Sequence, residues 1–488
     1  MSDAPSHAVD PGPPPPGTDS GLLAPVRAGT GPEALLSDEA WVAAMLEAEV
    51  ALARAQAALG VIPARSADAV AKAARSARID TAALARDSRG AANPVVELVP
   101  RLTAAVADTD PEAAVHVHLG STSQDILDSA AMLLAARALA AVERDLARTS
   151  DALAALARDH RGTPMAARTL GQHAVPTTFG LKAAGWLSSV LDAAARVRDT
   201  ARALPAQLGG AAGTLAAYEE YARAAAPREG QPPPGGPALA ARFAQELGLA
   251  DPPIPWHSLR MPLCDLGGTL NAVTGALGKF ALDVQTLSRT EIGEVAEPAA
   301  TGRGVSSAMP QKRNPVLATL IVSAARQVPA YTSVLAQSML AEDERAPGAW
   351  HAEWQPLREA LRLAGGAAHT AAELAGGLEV HPAALRRNLE LTGGAVVAER
   401  LNAVLAPLLG KAGAKRLLAD CARRAAAGQG SFGELLSREL PGTPADGLRA
   451  GELLDPEGYL GAADGLVDRV LARHAAEGRR RTEGGEPA

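Results

Sequence analysis

GVSSAMPQKRNP, residues 304–315, sets two serines, a lysine and an asparagine between a glycine and a proline, and an apolar run begins directly after it at Val316. The Gly/Ser-rich stretch 299–311 reads as a loop. Asn314 as N-cap and Pro315 in the first turn then predict the start of a long helix. Carried on to about residue 344, it would span roughly 45 Å at 1.5 Å per residue, with a kink at Pro329. A helix of this length points to a central bundle. Two shorter helices broken at Pro329 are the alternative.

Helical spacing extends outward from this stretch over most of the chain. Trp41, Met45, Leu52 and Leu59 recur at helical intervals after Ser37, and Gly60 is a stop signal. Alanine-rich segments of the same kind continue towards the C-terminus, and strand-like alternation is too rare to place a sheet. The breaks are GAANP (90–94), HVHLGSTSQD (116–125), where Thr122 or Ser123 is a candidate N-cap, and APREGQPPPGGP (226–237), read as an exposed loop. Residues 1–20, with Pro11 and Pro13 to Pro16, read as a disordered tail, and 475–488 as a charged, frayed end.

Composition narrows the function classes. The 488 residues exceed what one core organises, so two or three domains are expected. Aromatics are only 3%, so the core is built from Ala, Leu and Val, which suits close-packed helices. A net charge of −7 with no basic stripe argues against nucleic acid. Cys264 and Cys421 are far apart, which argues against a zinc site or a disulfide framework and fits a reducing compartment. No apolar run of about 20 residues and no signal-peptide pattern is present, so a cytoplasmic location without membrane contact is expected.

Three polar, glycine-bearing segments carry the candidate chemistry: GSTSQD (120–125), RTLGQHAVP (168–176) and GVSSAMPQKRNP. Only six lysines stand against 41 arginines, so Lys312 reads as a compact point charge. Lys312 and Asn314 could hold a carboxylate and favour its doubly charged aci form when a proton leaves the neighbouring carbon. A serine of the loop could be the base, made acidic enough by Lys312 and a helix N-terminus. A surface loop that merely caps a helix remains the alternative.

At this point the chain resembles a known family. GVSSAMPQKRNP is similar to the signature loop of the fumarase/aspartase superfamily, written GSSxMPxKxNP. With GSTSQDILDSA (120–130), RTLGQHAVPTTFGLKAAGW (168–186), QLGGAAGTLAAY (207–218), TEIGEVAEP (290–298) and EDERAPGAWHAEW (342–354), it most resembles the 3-carboxy-cis,cis-muconate cycloisomerase branch. The resemblance covers roughly residues 21–475. It implies an all-α, three-domain fold: an N-terminal helical domain (21–115), a central long-helix bundle with the signature loop (116–365) and a C-terminal helical domain (366–488). It also implies a homotetramer with active sites shared between subunits, and no metal or organic cofactor.

The resemblance implies a catalytic role for Ser306, with Lys312 and Asn314 gripping a substrate carboxylate. Ser121, Thr122 and Ser123 would bind a carboxylate, unless they only cap a helix, and Thr169 and Gln172 would contact substrate. Asn93 either faces the site or is a plain turn asparagine. Arg345 either clamps a second carboxylate or pairs with Glu342 or Glu344. His173 is an acid, an orienter or a packing residue; His116, His118, His257 and His351 rank behind it.

Three positions depart from the superfamily. Leu170 stands where many members carry a histidine; the cycloisomerase branch also lacks that histidine, so Leu170 supports the resemblance to that branch. Val305 replaces the glycine before the serine pair, and in WHSLRMPLCDL (256–266), which resembles the branch's Trp-His-Thr block, Met261 is unusual after the Trp256–His257 pair. The leading expectation is lactonisation of 3-carboxy-cis,cis-muconate. The alternative is a fumarate-releasing elimination from a succinyl-type substrate such as nitrosuccinate, aspartate or adenylosuccinate, slightly favoured by Val305 and Met261. A catalytically silent scaffold is disfavoured by the retention of Ser306, Lys312 and Asn314.

Overall fold

The computed structural model describes residues 20–225, 235–304, 308–309 and 311–483. The Pro-rich tail, most of the 226–237 loop, Val305 and Ser306 therefore lie outside the described residues. Within them helices predominate, joined by two small antiparallel two-stranded sheets. No described helix is long and apolar enough to cross a membrane, and no described His, Cys, Asp and Glu cluster could hold a metal ion.

The chain packs as two compact units, each assembled from three stretches. One comprises Met1–Val142, Arg198–Asn271 and Gln327–Gly366; the other comprises Glu143–Val197, Ala272–Arg326 and Ala367–Ala488. Five long helices contribute residues to both: Ser123–Asp159, Phe179–Ala203, Met261–Leu287, Val316–Gln337 and Ala349–Gly376.

In the first unit, helix α1 (Asp38–Ala58) starts where Ser37 accepts a hydrogen bond from the Ala40 N–H at 3.2 Å. Met45 and Leu52 of its apolar face are buried, and Gly60 turns the chain away at φ +74°. The segment before α1 crosses the Ala349–Gly376 helix at the pair Gly365–Gly366. A Cβ on Gly366 would lie 2.3 Å from the Val26 carbonyl oxygen, and one on Gly365 2.5 Å from Pro32 Cβ. Arg358 and Arg362 of the same helix donate to the Leu36 carbonyl at 2.8 and 3.1 Å.

The second unit holds a hairpin that contradicts the sheet-free reading. Strands β1 (Pro164–Thr169) and β2 (Gln172–Thr178) pair through a two-residue loop, Leu170–Gly171. Both loop residues have positive φ, 51° and 80°, as the tight hairpin turn matching strand twist requires. Its usual Asn-Gly signal is missing, and the β-branched Val175, Thr177 and Thr178 share their strand with Pro176. Further on, Trp186 packs edge-on to Phe179 and donates to Asp283 at 2.7 Å. The C-terminal core gathers Leu389, Val397, Leu401, Leu405, Cys421, Phe432 and Leu435.

The helix expected from Pro315 runs Val316–Gln337, contains Pro329 and ends short of residue 344. The polar EDER stretch follows, with Asp343 at φ +52°. Asn314 is not the cap. The Glu297 carboxylate takes that place, accepting from the Leu317 and Ala318 N–H groups at 3.0 and 2.7 Å. Burial raises the Glu297 pKa, and these backbone donors only partly offset it.

Glycine-to-alanine substitution in a helix ordinarily stabilises by about 1 kcal/mol. At Gly366 the overlap with Val26 outweighs that gain, and overpacking costs about 1–3 kcal/mol. Gly366→Ala is therefore expected to lower the thermal midpoint. Gly413→Ala, whose Cβ would meet Leu409 Cβ at an ordinary 3.5 Å, is expected to hold or raise it. Differential scanning calorimetry of the two variants checks both signs.

Candidate active site

The candidate residues of the first unit converge on the N-terminus of helix α2 (Ser123–Asp159). Asn93 caps the Pro94–Ala107 helix, its Oδ1 accepting from the Val95 N–H at 2.9 Å, while its Nδ2 donates to Ser123 Oγ at 2.8 Å. It thus joins the GAANP turn to the GSTSQD segment and also serves as a cap. Thr122 precedes α2. Its carbonyl accepts from the Asp125 N–H, and its own N–H donates to Asp125 Oδ2 at 3.3 Å. Ser121 stands beside it, partly exposed. Gly120 must be glycine: φ is +78°, and a Cβ would come within 2.8 Å of the Tyr218 ring.

Beneath these hydroxyls lies a buried polar network. Asp125, with no solvent exposure, accepts from the N–H groups of Gly209 and Gly210 at 2.8 and 2.9 Å and from the Tyr218 hydroxyl at 3.0 Å. His257 Nε2 lies 2.8 Å from Asp125 Oδ1. Burial, reinforced by the Asp125 charge, raises the Tyr218 pKa well above its ordinary value, so the phenol remains a donor. One turn along α2, Asp128 accepts from Arg260 at 2.7 and 3.1 Å and from Trp350 Nε1 at 2.9 Å. Arg260 also grips Glu353, at 2.6 Å through Nη2, and lies over the Trp256 ring. Burial opposes its charge, but the Asp128 and Glu353 carboxylates prevail and raise its pKa.

Arg345 is tied to this network. Its Nε donates to Gln124 Oε1 at 2.9 Å and its Nη2 to the Ala211 carbonyl at 3.2 Å. Gln124 is itself buried and donates to the His257 carbonyl at 2.9 Å and to Asp128 at 3.2 Å. Among the described residues Arg345 pairs with neither Glu342 nor Glu344, so its guanidinium has no carboxylate partner there.

The remaining candidates belong to the second unit. Thr169 and Gln172 are the last cross-strand pair before the Leu170–Gly171 turn, both exposed, and Leu170 projects wholly into solvent. A leucine at positive φ costs conformational energy, which the two-residue turn imposes on it. Arg168 anchors the hairpin, donating to both oxygens of the buried Glu294 at 3.0 and 2.6 Å, and Asn388 donates to the same carboxylate at 2.9 Å. Burial and the Arg168 charge lower the His173 pKa, leaving a neutral imidazole at pH 7.

Around the signature loop, the Asn314 N–H and Nδ2 both donate to the Gly304 carbonyl, at 3.0 and 3.3 Å, closing its base. Gly304 has φ +66°, and a Cβ there would sit 2.7 Å from the Asn314 carbonyl oxygen. The exposed Lys312 has no acidic partner among the described residues. Ser306 lies outside them.

Sequence reasoning passed over Asp125, Asp128, Tyr218, Arg260 and Glu353. Their signal is the QDILD spacing, which sets Gln124, Asp125 and Asp128 into an otherwise apolar helical run, where buried carboxylates need partners. It also ranked His118 low. That residue sits at φ +58° with Nδ1 2.6 Å from Glu49 Oε1, and Glu49 is buried.

A sequence model described as lyase matches residues 32–330. Nitrosuccinate lyase of Streptomyces davaonensis is 58% identical over 462 residues, covering 93% of this chain and 94% of that protein. The 3-carboxy-cis,cis-muconate cycloisomerase of Pseudomonas aeruginosa is 43% identical, covering 94% of this chain and 96% of that protein. The crystal structure of 3-carboxy-cis,cis-muconate lactonizing enzyme from Pseudomonas putida is similar with a TM-score of 0.84 at 37% identity, covering 93% of this chain and 99% of that chain.

Burial opposes a charged His118, but the Glu49 carboxylate outweighs it and the net shift is upward. The stabilisation from this pair is complete below the ordinary imidazole value and is lost as pH rises through the raised folded-state value. Histidine-selective NMR is expected to show His118 titrating above the ordinary value. In Glu49→Gln burial is opposed only by the Asp125 charge, and the midpoint is expected to fall relative to the unsubstituted protein.

Proposed function

The chain belongs to the fumarase/aspartase superfamily of lyases, and from that premise we propose that it eliminates nitrite from nitrosuccinate to give fumarate. The observation that carries the substrate is the 58% identity to a nitrosuccinate lyase across nearly the whole of both chains, against 43% for a cycloisomerase. Lactonisation, the leading expectation from sequence, gives way to the elimination held as its alternative.

The chemistry is written on this chain's residues as follows. Ser306, acting as base, takes the proton from the carbon beside one carboxylate. The electron pair delocalises into that carboxylate, whose aci form is stabilised by the Lys312 cation and the Asn314 amide. The pair then forms the C=C bond as the C–N bond breaks, and nitrite leaves with the bonding electrons. Nitrite is a weak base and needs no proton to depart. Leu170, exposed at the hairpin tip where many superfamily members carry a histidine, is compatible with such a leaving group.

Carboxylate binding falls to Ser121, Thr122 and Ser123, at the N-terminus of a 37-residue helix, where hydroxyls and the helix dipole favour an anion. Arg345, held by Gln124 and without a carboxylate partner among the described residues, suits the second carboxylate. Thr169 and Gln172 contact the substrate, Asn93 orients Ser123, and the neutral His173 orients rather than donates. The assembly is proposed as a homotetramer of three-domain subunits, each active site drawing these groups from more than one subunit.

Purified protein given nitrosuccinate is expected to release fumarate and nitrite in equal amounts, while 3-carboxy-cis,cis-muconate keeps its diene absorbance. Ser306→Ala is expected to lower kcat by about 10²–10⁴-fold with the oligomer intact by light scattering. Loss of diene absorbance without fumarate release would restore the cycloisomerase reading. Near-normal turnover by folded Ser306→Ala would remove the base assignment.

A further inference from the structure

A trough of about 270 Å³ lies in the first unit, between α1 and the Ala349–Gly376 helix. The partly exposed rings of Trp41, His351 and Trp354 line it above a floor of Leu84 and Leu127. Trp354 packs edge-on to Trp350 at 4.9 Å between ring centroids and on His351 at 4.8 Å, which fixes its orientation. Small-molecule sites usually measure about 300–1,000 Å³ and enclose most of their ligand. A smaller trough between held indole faces suits a length of chain laid along the surface, and proline-rich segments are what aromatic-lined grooves of this kind bind.

The chain carries such a segment next to it. Residues 1–19, outside the described residues, contain six prolines, four of them consecutive at Pro13 to Pro16, and Asp3, Asp10 and Asp19 with no lysine or arginine. They join the described chain near the trough. A Cβ on Gly21 would lie 3.3 Å from Arg27 Nη1, Arg27 Nε lies 3.6 Å from Glu359 Oε2, and Glu359 accepts from Gln355, on the trough's rim, at 3.1 Å. At about 3.3 Å per residue, Pro16 can reach about 17 Å from Gly21 and Pro11 about 33 Å. A second groove, sharing Val42 and Thr81 with the trough, runs on between α1 and the Ala64–Ser76 helix. Arg54, Arg75 and Arg78 line it without an acidic partner among the described residues. Its own carboxylates are engaged: Glu47 by Arg137 at 2.6 Å, Asp80 by the Ala83 N–H at 2.9 Å and Glu39 by Thr81 at 3.3 Å.

We propose that residues 1–19 dock on this surface of their own chain, with Pro11 to Pro16 across the indole faces and Asp10 and Asp3 carried on to the arginine-lined groove. Going back from Gly21, the prolines come before Asp10 and Asp3, as the trough comes before the arginines. None of these residues belongs to the elimination machinery, so the inference is independent of the proposed substrate.

The test uses the full-length chain with Pro13, Pro14, Pro15 and Pro16 all changed to serine, which alters none of the described residues. Uncovering Trp41 and Trp354 is expected to increase acrylamide quenching of tryptophan fluorescence, with an unchanged thermal midpoint. A synthetic peptide of residues 1–20 is expected to bind this serine variant at one saturable site per chain by calorimetry. It is expected to bind the unaltered protein about tenfold more weakly or worse, because the tethered segment competes at an effective concentration of about millimolar. Adding Trp41→Ala to the serine variant is expected to weaken the peptide about tenfold. Ala85→Gln, at an exposed rim position, narrows the trough without touching the core and is expected to act in the same direction. No saturable binding to the serine variant, equal affinity for the serine variant and the unaltered protein, or full affinity with both Trp41→Ala and Ala85→Gln would each overturn the proposal. Protection from quenching that disappears on dilution would place another copy's segment in the trough and overturn it as well.

Discussion

A single buried carboxylate, that of Asp125, holds the first unit's candidate residues in register. An ionised group with no solvent exposure is tolerated only when its lone pairs are occupied, and here Gly209, Gly210, Tyr218 and His257 occupy them. Hydrogen bonds to a charged group contribute about 1.5–3 kcal/mol each, and losing one leaves the others around a poorly compensated charge. Asp125 thereby ties the glycine turn at 209–210, the Trp-His block and the start of α2 into one body. The serine and threonine hydroxyls at that helix start inherit their positions from it.

The same arrangement reaches the guanidinium of Arg345. Gln124 precedes Asp125 and has both ends of its amide engaged, one accepting from Arg345 and the other donating to Asp128 and the His257 carbonyl. Asp128 shares Arg260 with Glu353. The links beyond Arg345 itself are buried, so rotating Arg345 away disturbs a chain of partners that cannot turn to water instead. In the second unit the bidentate Arg168–Glu294 pair does the equivalent for Thr169 and Gln172. In both units the candidate residues rest on paired buried charges, while Lys312 stands in solvent without an acidic partner among the described residues.

Features written locally were legible. The helix start at Ser37 and the stop at Gly60 each depend on residues within one turn, and the structure has them where the spacing predicts. The β1–β2 hairpin was not legible, because Leu170–Gly171 lacks the asparagine that usually announces such a turn. Nor was the true cap of the Val316–Gln337 helix, since Glu297 lies 20 residues before the N–H it serves and the nearer Asn314 turns back to Gly304. The site divides in the same way. Motif resemblance names Asn93, Thr122, Ser123 and Arg345 as candidates, but His257 is 132 residues from Asp125, and nothing in the local pattern of either predicts the other. Buried networks of this kind are fixed by tertiary partners, which a one-dimensional pattern does not display.

The threading of the chain through its two units bears on how the protein is made. Each unit takes three separate stretches, and the first is not complete until Gly366 has been added. At about 5–20 residues per second, a ribosome takes roughly 20–70 s to reach that point. Throughout that interval the alanine- and leucine-rich early helices wait for partners still unsynthesised. No contiguous piece of the gene encodes either unit, so cutting it at any single codon yields fragments with bare apolar faces. Nascent chains of this protein therefore carry uncovered apolar surface for most of their translation.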